Sequence, residues 1–481
     1  MNAGIDGLID SAMRPLADAI SAFIFFAVPM AGTQVPLIVI WLVVGGLFFT
    51  YFLRGINLTG FHHATEILRG KVKQPNATGE VSQFQALTTA VSGTVGIGNI
   101  AGVAVAISVG GPGATFWMIV AGLLGMSTKF AECTLAVKYR RIDPVTGEVS
   151  GGPMYYLKRG LSELGHTRTG HWLAMFYAAS MVVGCLGIGN MFQANQAAAI
   201  VINTTGGAAS PFAGQAWLLG LAQAVIVGLV IVGGIQSIGR VTARLVPFMV
   251  VLYVVCALLV LALNATTIPS AFVAIMNGAF SADGITGGAI GAMIIGFRRA
   301  VFSNEAGLGS ASIAHSASRV NHPASEGFIG LLEPFIDTVL VCTLTALVII
   351  TTVYVPGATD VNGIELTSAA FATAFSWAPV PLSICAVMFA FSTMLGWSYY
   401  GRKAFTFLVG DSRAAAIGFN AFFLAFVVLG SSVELGALID LSDALVFVVA
   451  IPNLLGLYLL APVVRRELAL YNSEVRDINH G

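Results

Sequence analysis

Long apolar runs recur along the chain, separated by short polar or glycine-containing segments. A helix needs about 20 predominantly apolar residues to cross a bilayer. Runs of about that length predict eleven spans, at 35–53, 81–109, 114–137, 172–204, 215–235, 245–263, 287–318, 328–354, 380–400, 414–433 and 441–464. The pattern therefore predicts an all-α polytopic membrane protein with eleven transmembrane helices.

The composition supports a membrane protein and narrows its chemistry. Of the 481 residues, 57% are hydrophobic and 10% are charged, whereas a soluble domain carries about 25% charged residues. The net charge is zero, so nucleic acid is not an expected partner. The five cysteines lie inside apolar runs without a C-x-x-C pair, and no nucleophile elbow or phosphate-binding loop is present. We expect neither a cofactor nor an enzyme.

The charges of the loops predict the orientation of the spans. Nineteen of the 23 Lys and Arg residues fall on one side if the eleven spans alternate, and only Arg14 falls on the other. The positive-inside rule then places the N-terminus in the periplasm and the C-terminus in the cytoplasm. Residues 4–30 carry charges among apolar residues and predict an amphipathic helix on the membrane surface.

The second span contains a glycine-rich interruption, Ser92-Gly93-Thr94-Val95-Gly96-Ile97-Gly98-Asn99. Each glycine costs a helix about 1 kcal/mol relative to alanine. Backbone that leaves the helix inside a membrane must be satisfied by protein or by a water-filled cavity. Freed amide N–H groups suit a carboxylate, and freed carbonyls suit Na⁺. Close helix packing through small residues explains these eight residues equally well.

A second interruption favours the binding interpretation. Without the first span, ten remain, and an offset of five pairs the second span with the seventh in opposite orientation. The seventh is broken at residues 302–310, and breaks at corresponding positions of two halves indicate a transporter site. The predicted divisions are an N-terminal segment (1–34), an extra helix with its cytoplasmic loop (35–80), a first five-helix repeat (81–264), a second, inverted repeat (265–465) and a tail (466–481).

The fourth span repeats the motif at residues 187–190 without a matching break five spans away, and there we expect close helix packing. Gln193, shortly after this motif, either faces a cavity or makes a helix–helix hydrogen bond.

Five stretches carry a family likeness: 92–102, 110–118, 151–156, 302–310 and 391–401. In them the sequence resembles the alanine/glycine:cation symporter family, also called the sodium:alanine symporters. The resemblance implies a leucine-transporter-type fold of two inverted five-helix repeats, here preceded by one extra helix.

The resemblance also implies two sets of site residues. The substrate-binding set has backbone amides for the substrate carboxylate and walls for the pocket: Gly93, Thr94, Ile97, Gly98, Asn99, Phe297, Phe302 and Trp397, with Gln193 as a further candidate. The Na⁺ set combines main-chain carbonyls with two hydroxyls: Ser92, Val95, Phe389, Ser392 and Thr393. From the residues alone, Ser392 and Thr393 would more simply bond back to carbonyls of their own helix; the resemblance favours the ion site.

Charged residues within spans need partners because each is costly in lipid. Lys129 and Glu132 lie three residues apart and predict a pair on one helix face. Arg298 and Arg299 could pair with Glu333 or Asp337. Glu305 lies inside the second break. A further hypothesis is that its carboxyl group titrates during function or helps to form the cation site. The histidines fall on the cytoplasmic side, where we expect them to be solvated.

These observations predict Na⁺-coupled uptake of a small neutral amino acid, alanine or glycine, across a bacterial inner membrane. The expected partners are that amino acid, Na⁺ as the co-transported ion, and the lipid bilayer. Coupling to protons is the main alternative, and an uncoupled facilitator or channel is another.

Overall fold

A computed structural model describes residues 15, 18–30, 33–72, 75–280, 288–355, 363–433 and 435–476. Residues 18–24 are helical and lead into a hairpin of β1 (Ala27–Met30) and β2 (Thr33–Pro36). The predicted N-terminal helix therefore ends before residue 30, and its residues 4–14 lie outside the described part.

The remaining helices and strands follow in chain order. They are α1 (Leu37–Phe52), α2 (Ile56–Thr59), α3 (Phe61–Leu68), α4 (Gln83–Thr94), α5 (Ala101–Gly110), α6 (Gly113–Lys138), β3 (Arg141–Ile142), β4 (Val149–Ser150), α7 (Pro153–Glu163), α8 (Thr167–Leu186), α9 (Phe192–Thr204), α10 (Ala216–Ile231), α11 (Gly234–Leu263), α12 (Ile268–Phe280), α13 (Gly288–Asn304), α14 (Ser312–His315), α15 (Pro323–Gly330), α16 (Leu332–Pro334), α17 (Thr343–Thr352), α18 (Gly363–Ala372), α19 (Pro379–Val409), α20 (Arg413–Gly430) and α21 (Leu435–Tyr471). Single 3₁₀ turns cover Ile97–Asn99, Gly207–Ala209 and Ala265–Thr267, and π-helical segments cover Gly187–Met191, Phe335–Cys342 and Asn472–Arg476.

Each of the eleven predicted spans overlaps helix. Among the described residues, seven helical stretches are long and apolar enough to cross a membrane, namely Gly113–Lys138, Thr167–Thr204, Gly234–Leu263, Pro323–Thr352, Pro379–Val409, Arg413–Gly430 and Leu441–Val475. The pair Gln83–Thr94 and Ile97–Gly110 makes an eighth if counted as one bent span. Helices α1 and α10 are apolar but have only 16 residues each. The architecture is thus predominantly helical, with two short antiparallel strand pairs besides, and the count of eleven stays a prediction.

Two boundaries differ from the sequence prediction. The fifth span ends at Ile231, and α11 begins at Gly234. Arg240 and Arg244, which were expected in the loop, therefore lie in the first turns of α11. The turn at Gly233-Gly234 explains the shift, because Gly234 adopts φ +64° and allows the chain to restart a helix at once.

Two long helices frame the broken spans. Helix α6 packs against α13, α15, α1 and α12. Helix α19 packs against a different set, α8, α9, α11 and α4. The first broken span, α4 and α5, therefore contacts α19, and the second, which begins with α13, contacts α6 and α5.

The α6–α12 contact predicts a measurable effect of a single methyl group. A Cβ on Gly113 would lie 2.1 Å from the carbonyl carbon of Gly278, which is backbone that cannot move aside. We expect Gly113→Ala to lower the free energy of unfolding by about 1–3 kcal/mol, as overpacking does, and to lower the thermal unfolding midpoint in detergent. The matched control is Gly418→Ala in α20, where a Cβ would meet open space. Equal midpoints for the two variants would contradict the close contact.

Candidate functional site

The first broken span is interrupted where the glycines predicted it. Helix α4 ends at Thr94, Gly96 is extended (φ −131°, ψ −163°), and the two halves of the span meet at 58°. The Asn99 side chain stabilises the interruption, because its Oδ1 accepts a hydrogen bond of 2.8 Å from the Gly96 N–H. The interruption is therefore held by its own residues.

Glycine is required at position 96 by its neighbours. A Cβ there would lie 2.5 Å from Thr393 Oγ1 and 3.2 Å from Gln193 Oε1. The backbone of the break thus lies directly against hydroxyl and amide groups of α19 and α9. Gln193 and Thr393, which lie 97 and 297 residues after Gly96 in the sequence, thus meet at the break.

Several polar groups of the break have no partner. Within the described residues, the carbonyls of Ser92 and Val95 accept no hydrogen bond and the Gly98 N–H donates none. Thr393 Oγ1 is buried, 1% exposed for the residue, and it too lacks a partner in this part of the chain. Buried polar groups are otherwise almost always paired. Open oxygens and an open amide donor thus lie at one interruption.

The two adjacent hydroxyls of α19 behave differently. Ser392 Oγ donates to the Phe389 carbonyl at 2.9 Å, which is the back-bonding considered as the alternative. Thr393 Oγ1 makes no such bond. Ser92 Oγ also bonds back, to the Thr89 carbonyl at 2.7 Å, and Thr94 Oγ1 bonds to carbonyls of the preceding turn. An oxygen of either serine keeps lone pairs free, so these bonds are compatible with a further cation contact.

Gln193 lies at the break and makes a specific helix–helix contact. Its Oε1 accepts a hydrogen bond of 3.1 Å from the Ile97 N–H, and its Nε2 donates to the Ile188 carbonyl at 3.0 Å. Of the two interpretations left open, the helix–helix hydrogen bond is the one present. The Gln193 side chain is therefore hydrogen-bonded to the Ile97 N–H, which is one of the two backbone amides expected to bind the substrate carboxylate.

Trp397 connects the two broken spans. Its single indole N–H faces the Gly93 carbonyl at 3.3 Å and Glu305 Oε1 at 3.0 Å. The indole also packs against Gly189, where a Cβ would lie 2.1 Å from the ring carbon Cγ. The close packing predicted for residues 187–190 is therefore real, and it also seats Trp397.

The two phenylalanines expected to close the pocket lie in different places. Phe302 packs beside Gly98, with its ring carbon 3.4 Å from where a Cβ would stand, and edge-on to Phe192 with centroids 5.5 Å apart. Phe297 packs against Trp117 instead, with centroids 6.4 Å apart. Phe302 thus joins the group around the break, and Phe297 borders it on the α6 side.

The second broken span is held open by a carboxylate. Helix α13 ends at Asn304, and Glu305 (φ +57°), Gly307 (φ +94°) and Gly309 (φ +75°) all lie in the left-handed region. A non-glycine residue there costs about 1–3 kcal/mol and needs compensation. Glu132 Oε1 of α6 supplies it, accepting from the Gly307 and Gly309 N–H groups at 3.0 Å each and from Asn453 Nδ2 at 2.8 Å.

The predicted ion pairs of the buried charges are wrong in their partners. Lys129 pairs with Glu333 at 3.1 Å rather than with Glu132, because Glu132 turns to the open backbone of the second break. Arg298 pairs with Asp443 at 2.9 Å, and Arg299 pairs with the same carboxylate. Both arginines of α13 therefore pair with a carboxylate of α21. Sequence spacing alone does not predict that these two helices are neighbours.

Two histidines expected in solvent are buried instead. His63 bonds to the Tyr471 hydroxyl at 2.8 Å, and His315 bonds to Glu326 at 2.7 Å and lies 3.7 Å from Glu333. His315 extends the Lys129–Glu333 pair into a buried chain of charged and polar groups.

Asp337 is the residue at the site that sequence reasoning misassigned. It lies on the π-helical segment before α17 and accepts hydrogen bonds from Asn99 Nδ2 (2.6 Å), Ser303 Oγ (3.1 Å) and Thr338 Oγ1 (2.6 Å). It therefore links the first break to the end of α13. The sequence did contain a signal for this environment. Asp337 lies in an apolar span and has no Lys or Arg one helical turn away, which favours neutral hydrogen-bond donors as its partners.

The whole site is sealed in this conformation. Asn99 and Ser92 are 0% exposed, and Gln193 is 2% exposed. A cavity beside the second break, lined by Phe297, Gly307 and α6 residues, has about 20 Å³, which is room for about one water molecule. The structure therefore describes a closed state in which the side chains of the site fill it.

The Asp337 contacts predict a strong effect of truncation. Asp337→Ala would remove the carboxylate that accepts from the Asn99 amide and the Ser303 hydroxyl, although Asn99 Nδ2 keeps the main-chain carbonyl of residue 337 at 3.1 Å. Each lost hydrogen bond to a charged acceptor costs about 1.5–3 kcal/mol. We expect a lower thermal unfolding midpoint in detergent than for Asp411→Ala. Asp411 is a matched control because it is 46% exposed and, in the described part of the chain, its carboxylate pairs with Arg141 alone, at 3.5 Å. Equal losses would show that Asp337 does not stabilise the two breaks.

Comparison with known proteins gives a consistent result. The family model described as the sodium:alanine symporter family matches residues 20–480. The sodium/alanine symporter AgcS of Methanococcus maripaludis is 40% identical over 92% of this chain and 95% of its own length. The amino-acid carrier protein AlsT of Bacillus subtilis is 35% identical over 87% of this chain and 85% of its own length. The crystal structure of MhsT in complex with L-phenylalanine matches with a TM-score of 0.58 at 14% identity, over 80% of this chain and 89% of that chain.

Proposed function

This chain belongs to the sodium:alanine symporter family, and we propose that it carries a small neutral amino acid, alanine or glycine, into the cell together with Na⁺. Relatives that are named as a sodium/alanine symporter and as an amino-acid carrier support amino-acid symport. The coupling ion and the solute are proposed from the site.

One observation carries the proposal. Unpaired oxygens and amide donors occur at the same interruption: the carbonyls of Ser92 and Val95 and the Thr393 hydroxyl for a cation, and the Gly98 N–H for a carboxylate. A hard cation such as Na⁺ is bound by oxygen ligands. Neutral ligands hold it weakly enough for release. The amide of Ile97 joins Gly98 once Gln193 gives up its hydrogen bond to it.

The surroundings of the break favour a neutral solute. The carboxylates of Asp337 and Glu305 are engaged by neutral donors of the protein itself, and the guanidinium of Arg299 is engaged by Asp443. Among the residues that the structure describes, these charged groups thus already have hydrogen-bond partners within the protein, and the Arg299 guanidinium is paired rather than free to select an anionic side chain.

The same surroundings favour a small solute. Trp397 presses against Gly189, and Phe302 packs beside Gly98, so both walls lie at van der Waals distance from the backbone. A methyl or hydrogen side chain needs little rearrangement of these rings. A larger side chain would have to displace an indole that also bonds to both broken spans.

The energetics of one Na⁺ per solute are sufficient for uptake. One charge moving through 100 mV releases about 2.3 kcal/mol, and a tenfold Na⁺ gradient adds about 1.4 kcal/mol. Together they support accumulation of a neutral solute by several hundredfold, an order-of-magnitude estimate. Alternating access would open the site first to the periplasm and then to the cytoplasm. The proposed location is a bacterial inner membrane, with the N-terminus outside and the C-terminus inside.

Uptake into proteoliposomes tests the proposal directly. With labelled alanine or glycine, we expect accumulation above equilibrium only when Na⁺ is higher outside, because the ion gradient supplies the energy. Equilibration without any gradient would indicate a facilitator. Uptake driven by external acid in Na⁺-free medium would indicate proton coupling. A competition panel of unlabelled amino acids, run with and without Na⁺, identifies the preferred solute.

The Thr393 hydroxyl gives a sharper test of the cation site. We expect Thr393→Ala to raise the Na⁺ concentration for half-maximal uptake about tenfold, the effect of losing roughly 1.4 kcal/mol of ion binding. Thr393→Ser keeps the hydroxyl and should stay near the unmodified protein. Ser398→Ala in the same helix is the matched control, because Ser398 Oγ bonds back to the Leu395 carbonyl of its own helix at 2.7 Å. Unchanged Na⁺ dependence in Thr393→Ala would remove Thr393 from the site.

A further inference from the structure

A short two-stranded contact joins the beginning of the first broken span to the end of the second. We call it the inner seam, and it consists of residues 78–81 against residues 316–320. Val81 and Ser318 form a parallel β-bridge. The Ala317 carbonyl accepts from the Glu80 and Val81 N–H groups at 2.8 and 3.2 Å, and the Arg319 N–H donates to the Val81 carbonyl at 2.8 Å.

The two sides of the inner seam touch backbone to backbone. Gly79 has φ +149°, and a Cβ on it would lie 2.4 Å from the Ser318 carbonyl oxygen. No residue with a side chain fits this position without parting the two strands. The contact is thus close enough to exclude solvent between the ends of the two spans.

Arg140 bonds to both sides of the inner seam at once. Its Nη2 donates to the Thr78 carbonyl at 2.8 Å and to Thr78 Oγ1 at 3.2 Å. Its Nη1 donates to the carbonyls of Ser316 and Ser318 at 2.9 and 2.6 Å, and Nη2 reaches the Val320 carbonyl at 3.3 Å. One guanidinium therefore makes five hydrogen bonds across the contact.

The position of Arg140 in the chain ties this clamp to the scaffold. It follows α6 by two residues, and its own carbonyl accepts from Arg159 Nη1 at 3.1 Å. In the part of the chain that is described, its guanidinium forms no ion pair with a carboxylate within 4.0 Å. Its acceptors are main-chain carbonyls and one hydroxyl. Such a clamp can release without leaving a buried carboxylate unpaired, and the guanidinium is then free to enter water.

We infer that the inner seam is the cytoplasmic gate of the transport cycle and that Arg140 is its lock. The inference rests on the proposed function, which places this end of both broken spans at the cytoplasm. Release of solute from the break between these spans requires the seam to part. Arg140 touches neither solute nor ion, so it is a positioning residue that sets the balance between closed and inward-open states.

A reversible cross-link tests whether the seam must part. Neighbouring strands lie roughly 4.8 Å apart, and a disulfide spans Cα atoms about 4.4–6.8 Å apart. The bridged pair Val81 and Ser318 is therefore suited to the double variant Val81→Cys/Ser318→Cys. We expect oxidation to abolish uptake and a reductant to restore it, while each single variant is insensitive to both. Complete cross-linking, measured by mass spectrometry, with uptake unchanged would overturn the gate.

The role of Arg140 is tested by access from the cytoplasmic face. Ala314 is fully buried between the seam and the second break, so an Ala314→Cys reporter should react slowly with a membrane-impermeant maleimide in inside-out vesicles. Cys256→Ser removes the one partly exposed native cysteine. We expect Arg140→Gln to speed the labelling about tenfold, since charge-assisted hydrogen bonds that favour the closed state are lost. Arg140→Lys should give an intermediate rate, because it keeps the charge without the fork.

The neighbouring Arg141→Gln is the matched control. Arg141 is 47% exposed, and within the described residues its guanidinium pairs with Asp143 and Asp411, at 3.6 and 3.5 Å, so the labelling rate of Arg141→Gln should equal that of the parent. In uptake, Arg140→Gln should raise the external solute and Na⁺ concentrations for half-maximal rate, because fewer molecules face outward. Equal labelling of Arg140→Gln and Arg141→Gln would overturn the lock. If the unmodified protein takes up no amino acid, the proposed function fails, yet the labelling experiment still decides the role of Arg140.

Discussion

The structure depends on satisfying main-chain polar groups in an interior that excludes water. Each break in a membrane-embedded helix frees N–H and C=O groups that cost several kcal/mol if left bare. Here side chains bond to several of them: Asn99 within the first break and Gln193 from α9, and Glu132 from α6 and Asn453 from α21 at the second. At the first break, the carbonyls of Ser92 and Val95, the Gly98 N–H and the Thr393 hydroxyl remain without a partner among the described residues, and the ion and solute are proposed to bind there. Binding would then complete a hydrogen-bonding pattern that the protein leaves unfinished.

Trp397 and Asp337 make the two breaks one unit. The indole N–H bridges Gly93 and Glu305, and the aspartate bridges Asn99 and Ser303. A change at one interruption is therefore felt at the other through direct hydrogen bonds rather than through a long chain of contacts. Two discrete arrangements of such a bonded unit are what alternating access requires, since packed interiors change by switching contacts and not by gradual deformation.

Much of the architecture follows from local pattern, and the partners of the buried charges do not. Apolar length placed eleven helical segments, and glycine spacing located both interruptions, because each depends on residues close in sequence. The predicted pair of Lys129 with Glu132 was wrong because the Glu132 carboxylate accepts hydrogen bonds from the Gly307 and Gly309 N–H groups instead. These N–H groups come next to Glu132 only in the folded protein. Arg298 and Arg299 likewise find Asp443 on α21, about 145 residues later. Short helices such as α12 and α18 lie between the predicted spans, and they were not predicted because they contain no apolar run of transmembrane length.

The buried carboxylates around the two breaks affect the order in which ion and solute would bind. Glu132, Glu305 and Asp337 accept hydrogen bonds from neutral donors, while the nearby Lys129 charge is matched by Glu333. Where these acids are ionised, they leave the region with an excess of negative charge in a medium that screens poorly. That potential attracts a cation whether or not solute is present, whereas it acts on a zwitterion of zero net charge only through the dipole of that molecule. In the proposed cycle, the ion would therefore bind first and the amino acid second.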